Sequence, residues 1–255
     1  MSPSAFRFGI ALAFLSTTAF AAAPAHAADI YGTAVAHAGR SAADLKRDAT
    51  DKPATVLRFA GIKPGDRVLD FLGYEGYYSE LLSYIVGPGG HVLLLNNKAY
   101  DGFANGNWKA RIGGLSNTGH RTAEFATLGL APNSFDAILM VKVYHDLYWV
   151  SPQDGWPKVD VASVLDQLQR ALKPGGMLLV VDHSAKPGTG NRDAGTLHRI
   201  DEAYARRDFE AHGLQFVKAG DALRNPVDKR DTISYKPPAL GHTDRFMLLF
   251  RKPGP

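Results

Sequence analysis

One sequence pattern occurs three times in this chain and restricts its fold more than any other feature. "GIKPGDRVLDF" (Gly61 to Phe71), "IVGPGGHVLLL" (Ile85 to Leu95) and "ALKPGGMLLVV" (Ala171 to Val181) each pass from a helix end through Pro-Gly into an apolar strand. Proline cannot continue a helix, and glycine reaches the positive φ that the reversal needs. The runs that follow are apolar without alternation, the pattern of strands covered on both faces. "FDAILMV" (Phe135 to Val141) has the same character. Val161, Val164, Leu165, Leu168 and Leu172 form a one-sided apolar stripe at helical spacing, as do Tyr77, Leu81 and Ile85.

Strands alternating with helices in this way predict an α/β fold. The expected architecture is a doubly wound, seven-stranded, mostly parallel sheet with a final antiparallel strand and helices on both faces. The patterns place helices near 41–60, 76–86, 105–117, 158–172 and 196–212. Strands are expected near 66–71, 91–96, 121–125, 135–141, 177–182, 214–219 and 245–251. The segment 221–244 is too long for an ordinary connection, and reads either as a lid or binding loop or as disordered chain.

The first 27 residues are expected to lie outside this domain. Arg7 is a positive start, "FGIALAFLSTTAF" (Phe8 to Phe20) an apolar core, and "AHA" (Ala25 to Ala27) a small-residue cleavage site. Together they have the form of a secretory signal peptide cut before Ala28, so the mature protein is expected in the periplasm or secreted. Residues 28–60 then read as an N-terminal extension and helix, and 61–255 as the main domain. The chain contains no cysteine, which excludes a disulfide framework, a thiolate metal site and a thiol nucleophile. Its net charge of +4 is scattered, with no basic footprint for nucleic acid. No G-x-S-x-G nucleophile elbow is present.

In open α/β sheets, ligands bind beyond the carboxyl ends of the strands where the connections switch direction. The residues to question are therefore those that follow each apolar run. They are Asp70, Gly73 and Gly76, then Asn96 and Asn97, then Glu124, then Tyr144, His145 and Asp146, and finally Asp182 and His183.

The succession "VLDFLGYEGYYSELL" (Val68 to Leu82), "HVLLLNN", "AEFATLGLAPNSFDAILMVKVYHDL" and "LQRALKPGGMLLVVDHS" resembles a class I S-adenosylmethionine-dependent methyltransferase across about residues 60–251. "VVDHSAKPGTGNRDAGTLHRIDEAYARRDFEAHGLQFV" with the late "GHTDRFMLLFRKP" is similar to an exported group of such proteins. The resemblance implies a Rossmann-like methyltransferase domain with S-adenosyl-L-methionine as cofactor. It puts Asp70, Gly73 and Gly76 in the turn that approaches the methionine part of that cofactor. Asn96 falls where the family usually has an acid that accepts both ribose hydroxyls, and an amide offers one acceptor oxygen in its place. Glu124 falls where an acid commonly faces the adenine amino group. Tyr74 and Glu75 replace small residues in the turn, and a tyrosine there either stacks on the cofactor or fills its pocket.

For the chemistry, His145 or His183 suits a general base, with Asp146 and Asp182 as orienting carboxylates. The alternative is that these residues cap helices and tie down loops. "LHRID" reads as a helix start that puts His198, Asp201 and Glu202 on one face, opposite a core-facing stripe of Leu197, Ile200, Tyr204 and Ala211. Asp146, Asp182 and His183, with His198 or Asp201, also form a conceivable nitrogen and oxygen ligand set, but no compact metal motif is present and no metal is assigned. Aromatics are dense near the mouth (Tyr74, Tyr77, Tyr78, Tyr144, Tyr148, Trp149 and Trp156); some of them must be core, and together they suit a planar or apolar small-molecule substrate. Three functions stay open: methyl transfer to a small molecule, a periplasmic binding or scaffold protein that kept the fold without the cofactor, and a metal-assisted enzyme.

Overall fold

The computed structural model describes residues 1–2 and 29–254. The expected signal peptide lies outside the described residues. The helices are α1 (Ile30–Val35), α2 (Ala42–Asp51), α3 (Pro53–Ala60), α4 (Tyr77–Val86), α5 (Lys98–Ala104), α6 (Asn107–Ile112), α7 (Val161–Ala171), α8 (Ala194–Leu197) and α9 (Glu202–Ala211). The strands are β1 (Arg67–Phe71), β2 (His91–Asn96), β3 (Thr118–Thr122), β4 (Phe135–Val141), β5 (Leu172–His183), β6 (Gln215–Gly220) and β7 (Arg245–Arg251).

The seven strands pair in the order β3-β2-β1-β4-β5-β7-β6. Strands β1 to β5 run parallel, and β7 is antiparallel to both β5 and β6. The chain winds outward from β1 to β3, then crosses back to lay β4 against the other side of β1. That reversal opens a crevice above the ends of β1 and β4.

The unbroken apolar runs follow from burial on both faces. Leu69, Ile138, Met140, Leu178 and Val180 point to one face and pack with Val164, Leu165 and Leu168 of α7 and Phe209 of α9. Val68, Leu139, Leu179 and Val181 point to the other, against Val56 and Leu57 of α3 and Leu81, Leu82 and Ile85 of α4. The expected extension before residue 61 thus shares the core of the sheet. Helix α7 begins where the Asp160 carboxylate accepts the Ser163 amide at 3.2 Å, and α2 where Ser41 Oγ accepts the Asp44 amide at 3.1 Å. Each side chain satisfies an amide that has no partner inside its own helix.

Several elements depart from the sequence expectation, each for a local reason. The helix expected over 41–60 is broken at Lys52 (φ 44°), because the residue before Pro53 cannot stay helical. The helix expected at 105–117 is replaced by α5 and α6, parted by left-handed Asn105 and Gly106. The third strand lies at 118–122, three residues earlier than expected, paired to β2. The helix expected from 196 starts only at Glu202. His198 turns left-handed (φ 50°), the Ile200 amide donates to His183 O at 2.9 Å, and Asp201 caps α9. His198, Asp201 and Glu202 therefore do not share a helix face, and α9 buries Ala205 and Phe209 in place of the predicted stripe.

The segment 221–244 is folded as a series of turns. The Asn225 amide donates to Asp244 Oδ1 at 2.8 Å, Arg199 Nη1 pairs with Asp228 at 2.8 Å, and the Ser234 amide donates to Leu197 O at 3.0 Å. These bonds lay the segment across one side of the crevice.

Candidate active site

The turn after β1 is built from backbone that most side chains avoid. Leu72 (φ 54°), Tyr74 (φ 58°) and Gly76 (φ 80°) are all left-handed, a geometry that costs a residue with a Cβ roughly 1–2 kcal/mol. Three contacts hold it there: the Leu72 amide donates to Leu95 O at 2.7 Å, and Asn96 grips both ends of the Tyr74 residue. Gly73 has to be glycine, since a Cβ would collide with Asp70 Oδ2 and Leu94. Asp70 lies beneath that turn, 2% exposed, and accepts from Ser79 Oγ at 2.7 Å. No side-chain cation pairs with it among the described residues. Burial pushes its pKa up to about 6, against hydrogen bonding from Ser79 and the more distant pull of Arg47.

The expected cofactor residues divide. Asp70 and Gly73 line the cleft. Gly76 instead caps α4 and faces Ile112 and Leu94. Asn96 is fully buried; its Oδ1 accepts the Tyr74 amide at 3.0 Å, and its Nδ2 donates to Tyr74 O and Asp101 Oδ1, both at 2.9 Å. Both ends of its amide are turned toward Tyr74. Glu124 stands two residues beyond β3, exposed, where its Oε1 accepts the Lys98 amide at the start of α5 at 3.2 Å. Asn96 and Glu124 are not among the residues that line the cleft. Position in the sequence gives the strand end but not which way the side chain turns.

Beyond β4, a single 3₁₀ turn carries His145 and Asp146. His145 is held between two buried acids. Its amide donates to Asp182 Oδ2 at 2.9 Å, its Nδ1 to Asp182 Oδ1 at 2.7 Å, and its Nε2 faces Asp146 Oδ1 at 3.1 Å. His198 Nδ1 reaches the same Asp146 oxygen at 3.2 Å, and the Tyr100 hydroxyl donates to Oδ2. Burial opposes a charge on His145, but the two carboxyl groups overcome it and raise its pKa to about 10. Asp146 is likewise disfavoured by burial, yet His145 and the hydrogen bonds around it keep it well below the usual range.

The two expected bases sit in opposite surroundings. Between its two carboxylates, His145 is drawn toward the charged form. His183 is pushed well below the ordinary histidine value, by burial first and then by the charge on His145. It faces the cleft as a neutral ring, with Nδ1 2.7 Å from Thr243 Oγ1. Asp182 is buried behind His145 and holds it in place.

Sequence reasoning missed one further group. Asp51, at the end of α2, accepts Arg47 Nε at 2.7 Å, Lys142 Nζ at 2.9 Å and Arg245 Nη1 at 2.6 Å. Three cations thus meet one carboxylate, and Arg245 Nε is buried with no partner. Lys142 is left-handed (φ 63°) directly after β4. Burial and the two arginines bring its pKa down to about 8, despite Asp51. A lysine ending an apolar strand and an arginine opening the last one were visible signals; the approach of α2 was not.

Asp70, Lys142, His145, Asp146, His183 and Arg245 open onto one cleft of about 650 Å³. Tyr74, Phe103, Tyr235 and Leu240, between 40% and 57% exposed, form its apolar rim. Tyr74 does not plug it: its hydroxyl donates to Phe103 O at 3.0 Å, which fixes the ring to the wall. Of the aromatics dense in this region, Tyr144, Tyr148 and Trp156 turn inward. Both tyrosine hydroxyls donate to Asp208 at 2.6 Å, and Trp156 is fully buried.

Comparison with known proteins agrees with this architecture. Residues 105–180 match the family described as "Methyltransferase domain". A SAM-dependent methyltransferase from Aquifex aeolicus superposes with a TM-score of 0.56 at 20% identity, over 82% of this chain and 97% of that one. The fold is the class I methyltransferase fold. Over about half of its length the chain is also similar to the ubiquinone/menaquinone biosynthesis C-methyltransferases UbiE. That of Haemophilus ducreyi is 32% identical over 128 residues, 49% of this chain and 44% of the relative. That of Teredinibacter turnerae is 28% identical, over 51% and 47%. The chain spans about half the length of the curated relatives it matches. A structure described as the [4+2]-cyclase SpnF shares the methyltransferase fold almost equally, with a TM-score of 0.55 at 18% identity over 86% of each chain. The fold therefore does not fix the reaction, which has to be argued from the side chains.

Proposed function

We propose that the protein transfers a methyl group from S-adenosyl-L-methionine to a planar or apolar small molecule. One observation carries this reading: the cleft presents an unpaired acid and an unbalanced set of cations side by side. Asp70 is buried without a countercharge, while Arg47, Lys142 and Arg245 share the single Asp51. A ligand bearing both an ammonium and a carboxylate satisfies the two at once, and the amino-acid end of S-adenosylmethionine is such a ligand. The fit at this end is good. At the adenosine end the usual ribose acid is missing, and the faces of Tyr74, Tyr100 and Phe103 offer a purine stacking contact in its place.

When bound, the cofactor supplies a methyl group on a sulfonium already activated for transfer, so the protein's task is mainly alignment. Asp70 holds the ammonium, the basic wall holds the carboxylate, and the apolar rim receives the acceptor. His183 accepts the proton that an attacking hydroxyl or amine gives up. His145, held by Asp182, keeps Asp146 and the loop after β4 in register. The signal-like N-terminus supports placing this activity in the periplasm or outside the cell.

A second reading, a binding or scaffold protein on the methyltransferase fold, is favoured by the turning away of Asn96 and Glu124. Calorimetry on protein beginning at Ala28 separates the two. Saturable heat with S-adenosylmethionine or its demethylated product, followed by transfer of labelled methyl to phenolic or amine acceptors, supports the enzyme. Silence at millimolar ligand supports the scaffold.

A further inference from the structure

The cluster around Asp146 has a feature that methyl transfer does not require. We propose that His145, Asp146 and His198 bind one divalent first-row transition ion, such as zinc, at the floor of the cleft. This inference does not depend on the cofactor reading, and its test contains no cofactor.

Three donor atoms converge from segments about fifty residues apart. His145 Nε2 and His198 Nδ1 stand 3.1 and 3.2 Å from the same oxygen of Asp146, and one donor from each residue lies within 4.8 Å of the others. Ligands at bonds of about 2.1 Å around a tetrahedral ion are about 3.4 Å apart, so the cluster needs only a small adjustment. Two imidazole nitrogens and a single carboxylate oxygen suit such an ion better than magnesium or calcium, which prefer all-oxygen sets.

Two further observations point the same way. Asp182 holds Nδ1 of His145 at 2.7 Å and leaves Nε2 as the atom facing the cluster. A ligating histidine is commonly held like this from behind by a carboxylate. His198 reaches the cluster only because its backbone is left-handed (φ 50°), and the rings of Trp149 and Tyr235 flank it at 5.4 and 4.8 Å. An ion would take the place of the Nε2 proton of His145, which leaves to solvent. Its remaining coordination positions would open onto the cleft and take an oxygen or nitrogen donor from the substrate.

The test uses untagged protein stripped by a chelator and titrated with zinc by calorimetry, with elemental analysis of the saturated sample. One zinc per chain is expected. Replacing His198→Ala should weaken binding at least a hundredfold. Asp182→Asn, which removes the charge behind His145 while keeping the side chain's shape, should weaken it about tenfold to a hundredfold. His212→Ala, a surface histidine paired with Asp166, should change nothing. Should a variant fail to fold, the wild-type protein still decides the matter: cobalt at this site should quench the fluorescence of Trp149. The proposal is overturned if wild type shows no saturable zinc binding up to about 1 mM, no cobalt quenching, or the same affinity after His198→Ala.

Discussion

Asn96 holds Tyr74 with both ends of its amide, accepting the Tyr74 amide hydrogen at 3.0 Å and donating to the Tyr74 carbonyl at 2.9 Å. The side chain that stands in the usual ribose position is thus a brace for a strained turn. Because Nδ2 also donates to Asp101, an acid in its place would put two carboxylates against each other, one of them fully buried.

The substitution Asn96→Asp, which restores the residue common in the family, should therefore harm the protein. The expected loss is about 3 kcal/mol in thermal or urea unfolding, from a lost donor and an unpaired buried charge. Affinity for S-adenosylmethionine should fall with it. A tighter-binding Asn96→Asp variant of normal stability would show that Asn96 faces the ligand after all.

Asp70 makes the pH dependence specific. Its folded pKa, about 6, is raised above the ordinary carboxyl value of 3.8. Its stabilising contribution is therefore complete below the unfolded pKa and lost as pH rises through about 6. At pH 7, Asp70→Asn should be more stable than wild type by about 3 kcal/mol, the equivalent of roughly two pKa units. The same variant should lose cofactor affinity, and wild-type affinity should climb between pH 5 and 7 as the acid ionises. Unfolding curves and calorimetry at both pH values check the pair of effects.

The basic wall should separate binding from stability in the opposite way. Asp51→Asn leaves three buried or half-buried cations without their carboxylate and should cost about 3–5 kcal/mol. Arg245→Met relieves part of that excess, so its main effect should be a rise of roughly tenfold or more in the Kd for S-adenosylmethionine, the loss of one charged contact. Equilibrium unfolding and calorimetry, run on both variants, read the two effects apart.

His183→Gln should lower kcat by about a hundredfold or more while leaving cofactor affinity near wild type, since proton removal contributes on that scale. A proportionate loss of cofactor binding would instead mean that His183 shapes the pocket. Single-turnover methyl transfer at saturating acceptor distinguishes the outcomes.

The inner strands were legible because they are covered on both faces, so unbroken apolar runs such as His91–Asn96 and Arg245–Arg251 announce themselves, and Pro-Gly marks the approach to β1, β2 and the apolar run of β5. Asp70, Gly73, His145 and His183 were legible for a related reason: they follow those runs at the end where ligands bind. Direction was not legible. Asn96 and Glu124 occupy the right positions and turn elsewhere, which depends on contacts with Tyr74 and Lys98 that no spacing encodes. His198 was misread because its apolar neighbours mimic a helix, whereas Ile200 pairs beside the end of β5. Arg47 and Asp51 were hidden because helix α2 comes from outside the alternating pattern and meets the cleft only in three dimensions.

The most direct measurement is calorimetric titration of S-adenosylmethionine into the mature protein at pH 7.5, with Asp70→Asn in parallel. Saturable one-to-one binding that weakens sharply in the variant is the predicted result. A folded wild-type protein that gives no heat at millimolar ligand, or a variant that binds equally well, would contradict a cleft built around that acid and its neighbouring cations.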